Sequence, residues 1–593
     1  MRYKLLKLRF HRRLRHGQQQ VEGFSELAEQ NIDQHFFRRF SRLALVKRFV
    51  IGWILLFIIL IAGVLIQTSF LSNYFQSYQP VAGGIYTEGV LGRFTTANPL
   101  FATTDVDTTV SHLVFAGLLT YNNNNQLIGD LATDYSVDAR GTTYTVHLRP
   151  HLTWQDGQPL TSDDVAFTYQ TIQNPDAQSP LLSGWQGITV SAPDATTVVF
   201  KLPGVLASFP HNLTNGIVPK HLLNKVPLTD LRSADFNTVH PVGAGPFAWQ
   251  GVQVQGNDPA TSQQQVSLVP FARYHNGQPK LDEFVVRAYA DQDQMISAFR
   301  TKQLTAAEGL SDLPDHLGKV QIHNLTMTAQ TMVFLKNSDP LLGDKVVRQA
   351  LVAATNTDQI IKALSYPTRP VREPLLQGQL AYDPGLAQAG YNPKAANAAL
   401  DQAGWTLGKN NLRSKAKQPL RITLTAKDTI ENRTVTELLK RQWANVGVQL
   451  VPQLQSASDF TSTLQSHGYQ ALLYGISIGS DPDVFVYWDS SQADIRSASR
   501  LNLAEYKNGT ADEALESGRT RLDPALRTIK YKPFLQAWQQ DAPAIGLYQP
   551  RLLYLTNVPV SGFNDKAINT SADRLKNVQT WEIRQSRVTN THS

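Results

Sequence analysis

Three groups of residues have the types and spacing for chemistry. Gly475-Ile476-Ser477-Ile478-Gly479 fits G-x-S-x-G, the pattern of a serine nucleophile on a sharp strand-to-helix turn, and strand-like Tyr469–Tyr474 precedes it. Acyl transfer from such a serine needs an acid and then a histidine base later in the chain. Pro482 stands three residues after Gly479, and the only histidine after Ser477 is His592, second from the C-terminus. A base on a chain end is poorly held. A strand ending in a Gly/Ser loop accounts for the same residues, and a membrane-tethered hydrolase using Ser477 stands as the alternative function. His147 and His151, four apart, would align as metal ligands on a helix, but TYTVHL alternates as a strand and Pro150 intervenes. Asp481 and Asp483 flank Pro482: Asp481 could accept hydrogen bonds from a cationic ligand group or cap the next helix.

Beyond these the chain has no H-E-x-x-H, no phosphate-binding loop and no Gly-rich dinucleotide turn. Its cysteine count of zero excludes disulfides, thiolate metal sites, thiol catalysis and a lipid-bearing cysteine. No cofactor or metal is expected, and a binding protein fits better than an enzyme.

The elements that must position such residues begin with the distribution of charge. The 593 residues carry a formal charge of +7. Residues 1–48 hold twelve Lys/Arg and four Asp/Glu, a net +8, and everything from Phe49 onward sums to −1. The basic end lacks any nucleic-acid module, so no nucleic-acid partner is expected. FVIGWILLFIILIAGVLI, Phe49 to Ile66, has no charged side chain, and no charge follows until Glu88. As a helix that run is ~27 Å long, close to a bilayer's hydrocarbon core. A cleaved signal peptide would have a shorter apolar stretch and a small-x-small site, which IQTSFLSNYF does not offer. The reading is an uncleaved anchor with residues 1–48 cytoplasmic and the bulk of the chain outside the cell. The Leu/Phe and Arg/Lys mixture of residues 1–16 could lie on the anionic inner leaflet or act only as a solvated topology signal.

Past a stalk at 67–80 the composition is even and mixed α and β. Thr143–Leu148 and Thr196–Leu202 alternate as strands. Thr161-Ser162-Asp163-Asp164 and Asp344 start helices. Strand Arg421–Ala426, helix Glu431–Asn445 stopped by Gly447, strand Val448–Leu454 and strand Tyr469–Tyr474 give the order of a parallel sheet with crossover helices.

Leu127–Phe167 is more specific. Leu131-Ala132, Leu148-Arg149, Trp154, Asp156-Gly157, Pro159 and Asp164-Val165 follow the pattern P-x-LA, a strand pair, LR-x-x-x-x-W/F-x-DG-x-P-x-T/A-x-DV. HPVGAGPF (His240–Phe247), YHNGQPKLDEFVVR (Tyr274–Arg287), Lys345–Ile360 and Ala398–Trp405 keep the same order of further motifs. Over about residues 81–560 the chain resembles the family 5 solute-binding proteins of ABC transporters, the peptide- and nickel-binding group.

The resemblance implies an α/β, two-lobed periplasmic-binding-protein-like (type II) fold with an inserted subdomain, here preceded by one transmembrane helix at 49–66. Lobe I would span 81–295 with the insertion at about 105–185, lobe II 296–540, and 541–593 would return to lobe I and a C-terminal tail. It implies capture of a peptide or other small solute, and an ABC permease with its cytoplasmic ATPase as partners; a solute sensor without a transport partner is the remaining alternative. Peptide binders of the family commonly carry W-x-x-D-x-x-D/E-P, whose first Asp pairs with the peptide's amino group. Here Gly475 stands for the Trp and Ile478 for that Asp, while Asp481-Pro482 is kept. Expected ligand-binding residues are Asn98, Trp185, Tyr474, Asp481 and Trp488, each aromatic being equally suited to a core.

Overall fold

Strand Ala329–Leu335 is buried at every position, and its period-two alternation sends Met332 and Phe334 into one apolar cluster and Val333 and Leu335 into another. Two apolar faces demand cover on both sides, which places the strand inside a sheet. In the computed structural model, which describes residues 47–256, 262–364, 366–494, 496–497 and 500–589, it is fourth of five strands. The order is Gln449–Gln455, Arg421–Lys427, Ala471–Ser477, Ala329–Leu335, Ala544–Tyr548. Arg421–Lys427 runs parallel to both its neighbours. Helices Ile430–Ala444 and Ala457–Ser466 make the crossovers, in the strand–helix–strand order expected of this stretch. Helices Lys345–Ala354 and Ile430–Ala444 cover one face through Leu351, Leu439 and Trp443. Gly509–Arg519 and Pro524–Asp541 cover the other through Leu515, Phe534 and Trp538. Asp344 caps its helix by accepting from Val346 N at 2.9 Å.

A second sheet has seven strands in the order Gln321–Thr326, Arg551–Thr556, Ala306–Glu308, Ile85–Leu91, Glu283–Tyr289, Gln263–Pro270, Phe247–Gln255. Both ends of the outer part contribute to it. They are locked by a pair of side chains at 0% exposure, Arg574 Nε donating to Glu88 Oε1 at 2.9 Å. An antiparallel four-stranded sheet, Ala132–Val137, Thr143–Leu148, Thr197–Lys201, Thr189–Asp194, forms an appended layer. Helix Ser162–Gln173 packs on it, its start closed by Thr161 N donating to Asp164 Oδ2 at 2.9 Å.

The chain passes between the two large sheets twice, each time in two residues: Met327-Thr328 and Gln549-Pro550. The crossings lie side by side, with Met327 N donating to Pro550 O at 3.0 Å and Gln549 Nε2 to Met327 O at 3.2 Å. Residues 283–326 therefore run with the seven-stranded sheet and Ala544–Tyr548 with the five-stranded one.

These sheets belong to one unit, Pro80–Arg584; the described residues up to Gln79 and from Gln585 on form another. The latter contains helix Lys47–Phe75, whose apolar stretch Phe49–Thr68 is long enough to cross a membrane and has no buried residue. The helix runs on past Ile66, and strand Gln76–Val81 follows it. The basic segment, apart from Lys47 and Arg48, lies outside the described residues.

Candidate functional site

A cavity of about 560 Å³ is built by three parts of the seven-stranded side. Helix Asp105–Val114 presents Thr108, Ser111 and His112; the segment from Leu119 to Asp130 presents Tyr121; the C-terminal return presents Asn569, Asp573 and Lys576. Trp185, His211 and Asn215 close the remaining wall. A volume of this order suits a small solute or the end of a short peptide.

Two of these side chains also reach the five-stranded side. Tyr121 Oη and His211 Nδ1 lie 2.8 Å apart with their rings stacked. His211 faces Ser480 Oγ at 3.3 Å and Asp481 Oδ2 at 3.9 Å. Beside them Ser208 Oγ donates to Asp483 Oδ2 at 2.9 Å, and Ala207 N donates to Arg519 O at 2.9 Å. The cavity thus borders the seam between the two sheets. Burial lowers the pKa of His211 in spite of Asp481, and burial likewise lowers that of His112 against Asp573 and Asp130, so both imidazoles are neutral near pH 7. Burial raises Tyr121 to about 12.

Asp481 has a partner of its own. Arg527 Nη2 donates to Asp481 Oδ1 at 2.7 Å and Nη1 to Oδ2 at 2.9 Å, a two-pronged pair with both side chains largely buried. Burial alone would lower the arginine's pKa, and the bonds to Asp481 outweigh it, holding it raised.

A family model of the bacterial extracellular solute-binding proteins, family 5 (middle region), matches residues 126–497. The chain belongs to this family. The oligopeptide-binding protein AppA of Bacillus subtilis is 26% identical over 493 residues, 80% of this chain and 87% of that protein. The solved structure of AppA in complex with a nonapeptide superposes with a TM-score of 0.68 at 22% identity, covering 85% of this chain and 100% of that one. NikZ of Campylobacter jejuni, in complex with Ni(L-His), gives 0.71 at 22% identity, covering 84% and 99%. The fold is the two-lobed α/β type II fold.

In this family 5 solute-binding protein the two departures from the peptide-binder motif have clear settings. Ile478 is 8% exposed within an apolar cluster, so no charge replaces the missing Asp at that position. Gly475 lies on strand Ala471–Ser477, and a side chain built there meets nothing nearer than 3.9 Å, so lack of space does not require the glycine.

Of the residues expected at the site, Trp185 lines the cavity while stacking on Tyr169 at 4.0 Å, and Asp481 stands behind His211. Tyr474 is half-buried on strand Ala471–Ser477, 5.8 Å from the Phe460 ring. Asn98 is wholly buried, donating to Asn237 Oδ1 and accepting from Leu100 N, both at 3.0 Å. Trp488 is also wholly buried, between Phe334 and Trp538. Tyr121, His211, Arg527 and Lys576 went unread. They sit in segments such as YNNNNQ and SADRLKN that read as polar surface, and nothing local marks them.

Ser477 ends its strand, and its carbonyl accepts from Tyr487 Oη at 2.6 Å. Among the described residues its hydroxyl has no histidine partner, and Gly479 (φ +72°) leads into a loop where the elbow motif requires a helix. The serine-hydrolase alternative is not supported. His592 lies outside the described residues. His147 pairs with Asp134 at 2.8 Å on the strand, and no cluster of three or more metal-binding side chains occurs among the described residues.

Proposed function

We infer that this chain is the substrate-binding protein of an ABC importer: it captures a peptide or peptide-like solute between two closing lobes and presents it to a membrane permease driven by a cytoplasmic ATPase. The observation that carries the reading is the pair of adjacent two-residue crossings, Met327-Thr328 and Gln549-Pro550, beside a cavity that borders the seam. Short adjacent connections let two packed bodies rotate while their cores stay intact. On this geometry lobe I is 81–326 with 551–584, and lobe II is 329–548. Peptides are the first ligand class to test, because the relative AppA is an oligopeptide-binding protein solved with a nonapeptide.

Helix Lys47–Phe75 serves in this reading as a membrane anchor. The net +8 of residues 1–48 holds the N-terminus in the cytoplasm and leaves the solute-binding body outside. Zero cysteine makes a helix the means of tethering, since no lipid-bearing cysteine is present.

The test is a thermal-shift and calorimetric titration of the detergent-solubilised chain with a mixed peptide library, with scattering to follow compaction. Stabilisation together with a smaller radius of gyration is the expected result; no response to any peptide pool overturns the reading. N-terminal sequencing of the membrane-bound protein tests the anchor, and an N-terminus near residue 70 refutes it.

A further inference from the structure

Within the cavity wall the charged groups are unequally served. Asp130 receives His275 Nε2 at 2.6 Å and Asn276 Nδ2 at 3.0 Å. Asp573 is taken up by the turn it caps, its Oδ2 accepting from Asn569 N at 2.8 Å and Thr570 N at 3.2 Å. Lys576, at the end of that turn, is different: its ammonium is buried and, among the described residues, no protein acceptor reaches it. Lys566 adds a second positive charge nearby, its Nζ donating to Asn124 Oδ1 at 2.8 Å. A buried ammonium without an acceptor is costly, and a ligand oxygen in the cavity offsets that cost.

We propose that the solute seated in this cavity carries a carboxylate that pairs with Lys576, so that the protein selects its ligands by an anionic group and not by a free amino group. The proposal rests on the peptide-receptor reading above and names what that receptor recognises. Its second half follows from the acidic groups near the seam. Asp481 is spent on Arg527, Asp130 and Asp573 have donors already, and Ile478 carries no charge. An amine entering the cavity meets no free carboxylate among these, whereas a carboxylate meets Lys576, whose enclosed ammonium has to turn toward the ligand to pair with it. Burial holds Lys576 below the usual lysine pKa, with Lys566 acting the same way and Asp573 opposing, which leaves the ammonium readily stabilised by an anion.

The experiment uses the detergent-solubilised full chain. A tri- to nonapeptide library is captured and identified by mass spectrometry, and the best binder is titrated calorimetrically as the free acid, the C-terminal amide and the N-acetyl form. A C-terminal amide carrying one Glu separates a side-chain carboxylate from the main-chain terminus. The acid is expected to bind roughly ten- to a hundredfold tighter than the plain amide, as a charge-assisted hydrogen bond allows. N-acetylation should change affinity less than about threefold on the same scale. Lys576→Met should bring acid and amide to equal affinity, Lys576→Arg should keep the preference, and neither should lower the urea midpoint. Equal binding of acid and amide by the native chain, a preference that survives in Lys576→Met, or loss of binding on N-acetylation overturns the proposal while leaving the receptor reading intact. Failure of every library member to bind overturns both.

Discussion

Thr328 and Asn569 join the crossing between the lobes to the wall of the cavity. Thr328 Oγ1 donates to Asn569 Oδ1 at 2.7 Å, while Thr328 O accepts from Ile478 N at 2.9 Å and Gly479 N at 3.1 Å. Asn569 also exchanges two bonds with Asn125, at 2.9 and 2.7 Å. A cavity residue, a crossing residue and the end of a lobe II strand are thus one hydrogen-bonded chain. It supplies a physical route by which a ligand touching Asn569 biases the relation between the lobes.

Asn569→Ala removes the partners of Thr328 and Asn125 together. The expected cost is about 1–3 kcal/mol, because buried donors and acceptors are left unpaired. Urea unfolding of the variant measures it, and scattering should show weaker ligand-induced compaction than in the native chain. Native compaction in the variant would sever the proposed coupling.

Asp481→Asn tests the two-pronged pair with Arg527. The guanidinium has 7% of its side chain exposed and would remain buried opposite a neutral amide. Breaking a buried pair on one side costs about 3–5 kcal/mol, and the partly solvated carboxylate places this one toward the lower end. Asp481→Asn with Arg527→Met should recover much of the loss, since no unpaired charge is left. A single variant as stable as the native chain would show that the pair contributes nothing.

Elements set by local rules were legible in the sequence, and contacts set by chain return were not. Strand Thr143–Leu148 and the cap of helix Ser162–Gln173 follow from alternation and from Thr161 and Asp164 within a few residues of each other. Helix Ile430–Ala444 ends as Gly447 (φ +77°) allows. By contrast Glu88 and Arg574 are separated by 486 residues, and Asp481 and Arg527 by 46. Arg527 looks like any exposed cation of a helix until the fold turns it inward. Trp488 and Asn98 illustrate the opposite difficulty: an aromatic and an amide have the same local signature in a core as in a site, and only burial separates the two.

The glycines of HPVGAGPF have a steric reason. A Cβ on Gly243 would lie 1.9 Å from Val114 O, and one on Gly245 would lie 2.7 Å from Leu113 O, at the end of helix Asp105–Val114. Backbone at that distance cannot swing aside as a side chain does. Gly243→Ala should therefore destabilise by more than about 3 kcal/mol or prevent folding, as overpacking against main chain does. Gly277→Ala makes the comparison: its Cβ meets nothing within 4 Å, and its φ of +96° leaves only backbone strain. Thermal unfolding should rank Gly243→Ala well below Gly277→Ala; equal midpoints would refute the steric account.

Glu308 gives the stability an unusual pH dependence. It is 1% exposed, among the described residues neither carboxyl oxygen has a protein donor, and it shares its surroundings with Glu88, Asp105 and the cation Arg574. Burial raises its pKa from 4.5 to about 7; Arg574 opposes the rise, and Asp105 and Glu88 add to it. The folded state therefore holds a proton that the unfolded chain releases near pH 4.5. Below that pH both states are protonated and Glu308 imposes no penalty. Between 4.5 and about 7 stability falls as pH rises, and above 7 the loss is constant, on the order of 3 kcal/mol. Glu373, also raised to about 7 by burial, contributes in the same direction. Glu308→Gln keeps the shape and removes the titration, so relative to the native chain it should gain about 2–3 kcal/mol between pH 5 and pH 8 in urea unfolding. Adding Glu373→Gln should widen that gain. If Glu308→Gln and the native chain keep a constant difference across this range, Glu308 does not titrate there and the carboxyl is ionised in the fold.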